Sequence, residues 1–110
     1  MEPIGQPAMN EAIDRLWAQF LPQMRERVAT LEAAAAALAA GTLKQAQREQ
    51  ANAAAHKLAG VLGTFGLTRG TILAREAEIL YSGEPETDPD AAGRLDSIAA
   101  DLRTMVETRK

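Results

Sequence analysis

His56 is the single histidine of this 110-residue chain, and the chain has no cysteine. One imidazole without thiolates cannot build a histidine- or cysteine-based metal site, so we expect no bound metal. A solvent-exposed imidazole is largely neutral at pH 7, and one ring nitrogen then keeps a lone pair for nucleophilic attack. Glu76 and Glu78 lie about 200° apart around a helix, so they do not form a paired acid–base site and are interpreted as surface charge.

The composition predicts one all-helical domain. Of the residues, 46% are apolar and 25% charged, alanine is abundant, and aromatic residues make up only 4%. Alanine is the best helix former, whereas strands need aromatic and β-branched residues. The net charge of −3 and the lack of a basic run argue against a nucleic-acid partner. Residues 1–10 lack the charged and apolar parts of a signal peptide, and no apolar run is long enough to span a bilayer, so we expect a cytoplasmic protein without membrane contact.

Glycine, proline and capping residues predict where the helices begin and end. A first helix capped by Asn10 reaches Pro22, which either opens a second helix or kinks one continuous helix. The helix after Pro22 ends at Gly41, and Thr42 can cap the next. The other predicted helices span residues 43–65 and 68–82, with a last one from Asp88-Pro89 onward.

These helices predict an antiparallel four-helix bundle over residues 9–110, with a short additional N-terminal helix lying across it. Residues 1–8 contain Pro3, Gly5 and Pro7 and are predicted to form a disordered lead.

The helical wheel around His56 separates an apolar stripe from a bare face. The apolar residues of this predicted helix fall roughly 120° to 180° from His56, so the imidazole should point to solvent when the stripe faces the core. Within about 60° of His56 lie small or polar residues, among them Asn52, Ala53, Ala59, Gly60 and Gly63.

The two glycines on this face predict a docking site. Each glycine inside a helix costs about 0.5–1 kcal/mol relative to alanine, so two of them in an alanine-rich chain need a reason. Bare backbone beside a polar side chain lets another surface approach closely. The alternative is a plain surface histidine, with Gly63 and Gly66 fraying the helix end and Gly60 at a helix crossing.

Residues 55–67 resemble the signature of histidine-containing phosphotransfer domains. In that family the histidine is followed by leucine two positions on and by glycine four positions on, matched here by Leu58 and Gly60, and Phe65-Gly66 matches a later apolar–glycine pair. Residues 73–78 are similar to the family's next helix. The resemblance implies a helical bundle in which His56 accepts a phosphoryl group through Nε2, the outer ring nitrogen.

The sequence departs from the family at Ala59, where a lysine usually helps to neutralise the phosphoryl group. Lys57 is adjacent to the histidine, and its long side chain is a candidate for that work. Either Lys57 substitutes, or the phosphohistidine is less shielded, or the domain binds receivers without carrying phosphate. Arg48 is further away along the helix, and Arg69 is a candidate neighbour that the sequence does not place.

The resemblance implies a phosphoryl carrier rather than an enzyme with its own active site. The expected partners are a response-regulator receiver domain or a hybrid histidine kinase. The chain would need no cofactor of its own, because the receiver supplies Mg²⁺ and a lysine. The alternative function is an interaction or scaffold bundle that dimerises or binds receivers without phosphate, supported by Ala59 and by the alanine-rich residues 33–37.

Overall fold

The computed structural model describes residues 6–110, with side chains from residue 9 onward. Within this range the chain forms four α-helices and no strand: α1 (Gln6–Ala39), α2 (Gln45–Thr64), α3 (Thr68–Ser82) and α4 (Ala91–Thr108). A 3-10 turn, Pro85–Thr87, lies between α3 and α4. The prediction of an all-α bundle is confirmed.

The helices form an antiparallel ring in which α1 packs on α2 and α4, and α3 packs on the same two neighbours. Arg25 of α1 pairs with Glu107 of α4, and Glu32 pairs with Arg103, so these helices run in opposite directions. Fully buried side chains from three of the helices fill the centre: Met24, Val28, Leu31, Leu58, Leu62, Ile98, Leu102 and Val106.

Helix α1 continues through Pro22, so the predicted short additional helix is the first part of α1 and not a separate element. Proline removes one backbone hydrogen bond, but the residues on both sides are held by packing. The rings of Trp17 and Phe20 lie 5.0 and 6.2 Å from that of Phe65, the residue that follows α2, and Met24 is fully buried. Of the predicted disordered lead, residues 1–5 lie outside the described residues and residues 6–8 belong to α1.

Gly41 and Gly66 end α1 and α2 as predicted. Both adopt a positive φ, 73° and 74°, which glycine reaches without strain. The predicted starts of α2 and α4 are both earlier than the observed ones. Helix α2 begins at Gln45, because the Thr42 hydroxyl donates back to the Ala37 carbonyl instead of capping the next helix.

The last helix begins at Ala91 instead of at the Asp88-Pro89 pair. The carboxylate of Asp88 accepts a hydrogen bond from the backbone N–H of Asp90, which makes residues 88–90 a turn before the helix. No helix in the described range has the length and apolar character needed to cross a membrane.

Candidate functional site

His56 lies in the middle of α2 and points to solvent, as the helical wheel predicts. Its side chain is 69% exposed. The opposite side of α2 packs into the core, where Leu58 and Leu62 are fully buried. Because a helix buried along that side must direct the remaining side outward, the position of His56 follows from the apolar stripe.

The imidazole of His56 is bound by a carboxylate of the neighbouring helix. His56 Nδ1 lies 2.7 Å from Glu78 Oε2. An ionised carboxylate only accepts hydrogen bonds, so a neutral His56 ring in this contact carries its proton on Nδ1 and keeps its lone pair on Nε2. The Glu78 side chain is 25% exposed, and the interpretation of Glu78 as solvated surface charge is wrong. Glu76 has a different partner, Arg94 of α4, whose guanidinium lowers the pKa of the Glu76 carboxyl.

Side-chain hydrogen bonds fix α3 beside α2 at two levels. The amide of Asn52 donates to the Glu78 carbonyl at 2.7 Å, and the hydroxyl of Thr71 donates to the Ala59 carbonyl at 3.0 Å. The first bond holds the backbone that carries Glu78, so the carboxylate reaches His56 from a fixed position. Helix α3 thus supplies a second row of side chains along one side of the histidine.

The predicted docking residues divide into an open group and a packed group. Ala53, Gly60 and Gly63 are exposed as predicted, but Asn52 is half-buried in its contact with α3. The predicted place of Ala59 on the exposed face is wrong, since Ala59 is only 2% exposed. The wheel treats α2 alone, whereas α3 covers the side on which Ala59 lies.

The two glycines on this face have different surroundings. A Cβ added to Gly60 would meet nothing within 4 Å, so packing inside the chain does not require glycine there. A Cβ on Gly63 would lie 3.2 Å from the hydroxyl oxygen of Thr71, which partly explains that glycine by the approach of α3. Gly60 is therefore the residue that best indicates a surface kept flat for a partner.

Three basic residues, Arg48, Lys57 and Arg69, are sequence candidates for the surroundings of His56, and Arg75 of α3 lines a surface recess with Asn52 and Glu78. Arg48 pairs with Glu86, and Arg69 with Asp101, so both are held elsewhere. Lys57 is exposed beside His56, and Arg75 is exposed on α3. Neither Lys57 nor Arg75 takes part in the ion pairs formed among residues 9–110.

A shallow recess of about 420 Å³ opens next to the histidine and is lined by Asn52, Arg75, Glu78, Ile79 and Ser82. Ile79 is 70% exposed, and Ile72, two turns earlier on α3, is 60% exposed. Isoleucines at this spacing share one helix face, so α3 presents an apolar edge beside the recess. The described residues bring together no group of three acidic or histidine side chains that could hold a metal ion.

Sequence reasoning found His56 and missed Glu78. The two residues are 22 positions apart on different helices, so no local spacing connects them. Within α3, the spacing relates Glu78 only to Glu76, which lies about 200° away around the helix. Only knowledge of how α2 and α3 pack together would place Glu78 beside the histidine.

Comparison with known proteins agrees with this geometry. The family model of the Hpt domain matches residues 15–108. Protein RcaC of Microchaete diplosiphon is 30% identical over 95 residues, which are 86% of this chain and 15% of that protein, so the chain spans a small part of this relative's length. No solved structure matches the chain. The chain therefore belongs to the Hpt domain family, whose members are phosphotransfer carriers without a catalytic site of their own.

Proposed function

We propose that this chain is a phosphorelay carrier that accepts a phosphoryl group on His56 from a receiver-domain aspartate and passes it to another. The observation that carries the proposal is the exposed imidazole whose Nδ1 is bound to Glu78. Membership of the Hpt family supports it independently. The partner is a response-regulator receiver domain, free-standing or within a hybrid histidine kinase.

The nucleophile in the transfer step is Nε2 of His56, the ring nitrogen that is not bound to Glu78. The lone pair of His56 Nε2 attacks the phosphorus of an aspartyl phosphate, the N–P bond forms and the P–O bond to the aspartate breaks. The bonding electrons leave with the aspartate, which becomes a carboxylate. The imidazole gains positive charge as the bond forms, and the Glu78 carboxylate on Nδ1 stabilises that charge or takes the proton. The reverse step returns the phosphoryl group to an aspartate.

The remaining requirements of the reaction fall to the partner. A loose transition state of phosphoryl transfer needs in-line positioning and charge stabilisation. We expect Mg²⁺ and a lysine of the receiver to provide most of that stabilisation. This chain provides the nucleophile, its orientation by Glu78 and a surface on which the receiver can dock.

The docking surface we propose comprises Ala53, Gly60 and Gly63 of α2, with Asn52 at its edge. These small exposed residues let a receiver bring its phosphorylated aspartate down to the imidazole. The exposed Ile72 and Ile79 of α3 extend the surface on the other side of the recess. Apolar side chains beside a bare helix face suit the desolvated centre of a protein interface.

A second candidate function, a bundle that binds receivers without carrying phosphate, is favoured mainly by Ala59. That position carries no cation in this chain. The other support for a scaffold, the alanine-rich residues 33–37, is weaker because Ala34 and Ala35 are buried in the chain's own core.

Label transfer separates these functions. We expect wild-type protein mixed with ³²P-labelled receiver domains to acquire label that is acid-labile and base-stable, the behaviour of a phosphohistidine. His56→Gln should keep the helical circular dichroism spectrum and acquire none. A wild type left unlabelled by a panel of receivers that still bind it would establish the scaffold function instead. Label on His56→Gln would remove His56 from the proposal.

A further inference from the structure

The phosphoryl group proposed for His56 would need a cation from this chain at a place where α2 has none. A phosphoryl group carries between one and two negative charges near neutral pH. On α2 the family's lysine position is Ala59, which is buried and accepts a hydrogen bond from Thr71 of α3 through its carbonyl. Lys57 lies about 100° around the helix from His56, whereas Asn52 and Ala59 lie about 40° and 60° to the other side.

The imidazole is held on the side away from Lys57. Asn52 and Ala59 both bond to α3, which therefore runs along their side of α2. His56 Nδ1 is bound to Glu78 of the same helix, so the ring leans toward α3. A long cationic side chain of α3 therefore starts on the same side of α2 as the ring.

Arg75 lies on α3 between the two side chains of that helix that contact α2 near His56. It follows Thr71, which reaches the Ala59 carbonyl, by four residues and precedes Glu78, which reaches His56, by three. Residues three and four apart share one face of a helix, so Arg75 lies on the face that meets α2, between these two contacts. It also lines the recess that contains Asn52 and Glu78.

The side chain of Arg75 is free to move to a phosphoryl group. It is exposed, and among the described residues it forms none of the ion pairs that hold Arg69 and Arg94. A guanidinium binds phosphoryl oxygens through two parallel N–H donors, which a single ammonium cannot do.

We infer that Arg75, reaching across from α3, is the cation that faces the phosphoryl group on His56 in place of the lysine absent at position 59. This inference rests on the proposed function. It assigns the charge to a different helix from Lys57, and it makes Glu78, His56 and Arg75 one unit built across the α2–α3 interface.

The lifetime of the phosphohistidine tests this assignment without a receiver. Phosphoramidate transfers its phosphoryl group to an imidazole nitrogen and releases ammonia, so it can label the isolated chain. We expect Arg75→Ala to shorten the half-life of phospho-His56 roughly three- to ten-fold, the effect of one nearby charge in a partly solvated site. Arg75→Lys should recover part of the lifetime, which a purely structural role would not explain.

Two matched variants serve as controls. Arg69→Ala removes an equal charge from α3 at a site bound to Asp101, and Lys57→Ala removes the neighbouring cation of α2. Both should leave the half-life within about two-fold of wild type. An unchanged half-life in Arg75→Ala would overturn the inference, as would a shorter half-life in Lys57→Ala alone or no labelling of wild-type His56 by phosphoramidate.

Receiver transfer, measured on the same variants, keeps the two proposals apart. Wild-type transfer together with a normal lifetime in Arg75→Ala would leave the phosphorelay function standing and remove Arg75 from it. A shortened lifetime in Arg75→Ala without transfer from any receiver would support the role of Arg75 and contradict the phosphorelay function.

Discussion

At the scale of the residue, the contact between His56 and Glu78 makes an ordinary surface histidine a directed nucleophile. A free imidazole exchanges its proton between two nitrogens, and only one tautomer presents the lone pair at Nε2. The carboxylate 2.7 Å from Nδ1 selects that tautomer and orients the ring. Most of the His56 side chain remains exposed, so Glu78 orients the ring while a partner can still reach it.

Glu78→Gln should slow transfer from a phosphorylated receiver roughly three- to ten-fold, the equivalent of about 1 kcal/mol for a weakened hydrogen bond. The amide is similar in size but uncharged, and it can donate as well as accept, so it no longer selects one tautomer. Initial rates of label transfer measure the effect, and ¹⁵N chemical shifts of the ring report which nitrogen carries the proton.

Glu76→Gln is the matched control for that experiment, because Glu76 is on the same helix but is bound to Arg94. It should leave both the rate and the ring shifts unchanged. Equal rates for Glu78→Gln and Glu76→Gln would show that Glu78 has no part in transfer.

The exposure of His56 could be predicted from the sequence, because the apolar stripe of one helix fixes the direction of the opposite face. The buried Ala59 and the partner Glu78 could not. Both depend on where α3 lies, and a wheel of α2 alone carries no information on its neighbours. Alanine makes this harder, since it is as compatible with an exposed face as with a close helix contact.

At the scale of the element, glycines serve different purposes in helices that pack together. Gly60 of α2 faces open space, whereas Gly70 of α3 is buried. A Cβ on Gly70 would lie 2.9 Å from Leu62 Cδ1 and 3.2 Å from Met105 Sδ. The first glycine is therefore a candidate for recognition, and the second allows α3 to approach its neighbours.

Gly60→Gln should reduce the rate of transfer from a receiver at least several-fold while leaving the chain as stable as wild type or more so. The longer side chain obstructs the flat approach to His56, and glutamine is a better helix former than glycine. Gly93→Gln is the control, because Gly93 of α4 also faces open space but lies on a different helix. Binding of a receiver by both variants with equal affinity would contradict a docking role for Gly60.

Gly70→Ala should lower the free energy of unfolding by about 1–2 kcal/mol, because the added methyl overpacks a site between two buried side chains. Gly70 is the third residue of α3, and Gly93 is the third residue of α4. Gly93→Ala should instead raise stability by up to about 1 kcal/mol, since its methyl meets nothing. Urea denaturation measures both, and equal shifts in the two variants would refute the packing role of Gly70.

At the scale of the whole molecule, the sequence predicted the bundle well because glycines end two of its helices and apolar periodicity marks each one. The sequence does not decide the continuity of α1, since proline is compatible with a break and with a kink, and the helix is held by the packing of Trp17 and Phe20 on Phe65 and by the burial of Met24. The start of α4 was misplaced because Asp88-Pro89 is compatible with both a helix start and a turn.

The stability of the bundle should fall steeply in alkali because of one buried phenol. Tyr81 is 2% exposed and its hydroxyl has no hydrogen-bond partner among the described residues, and burial raises the pKa of Tyr81 to about 12. Above a pH of about 10 the unfolded chain loses this proton while the folded chain keeps it, so the free energy of unfolding decreases as pH rises. The loss is roughly 1.4 kcal/mol per pH unit, up to about 3 kcal/mol by pH 12.

Tyr81→Phe has no proton to lose and should remove this part of the decline, while remaining as stable as wild type at pH 7. Urea denaturation of both proteins between pH 8 and pH 12 measures the difference, and parallel curves would contradict the burial of an unpartnered phenol.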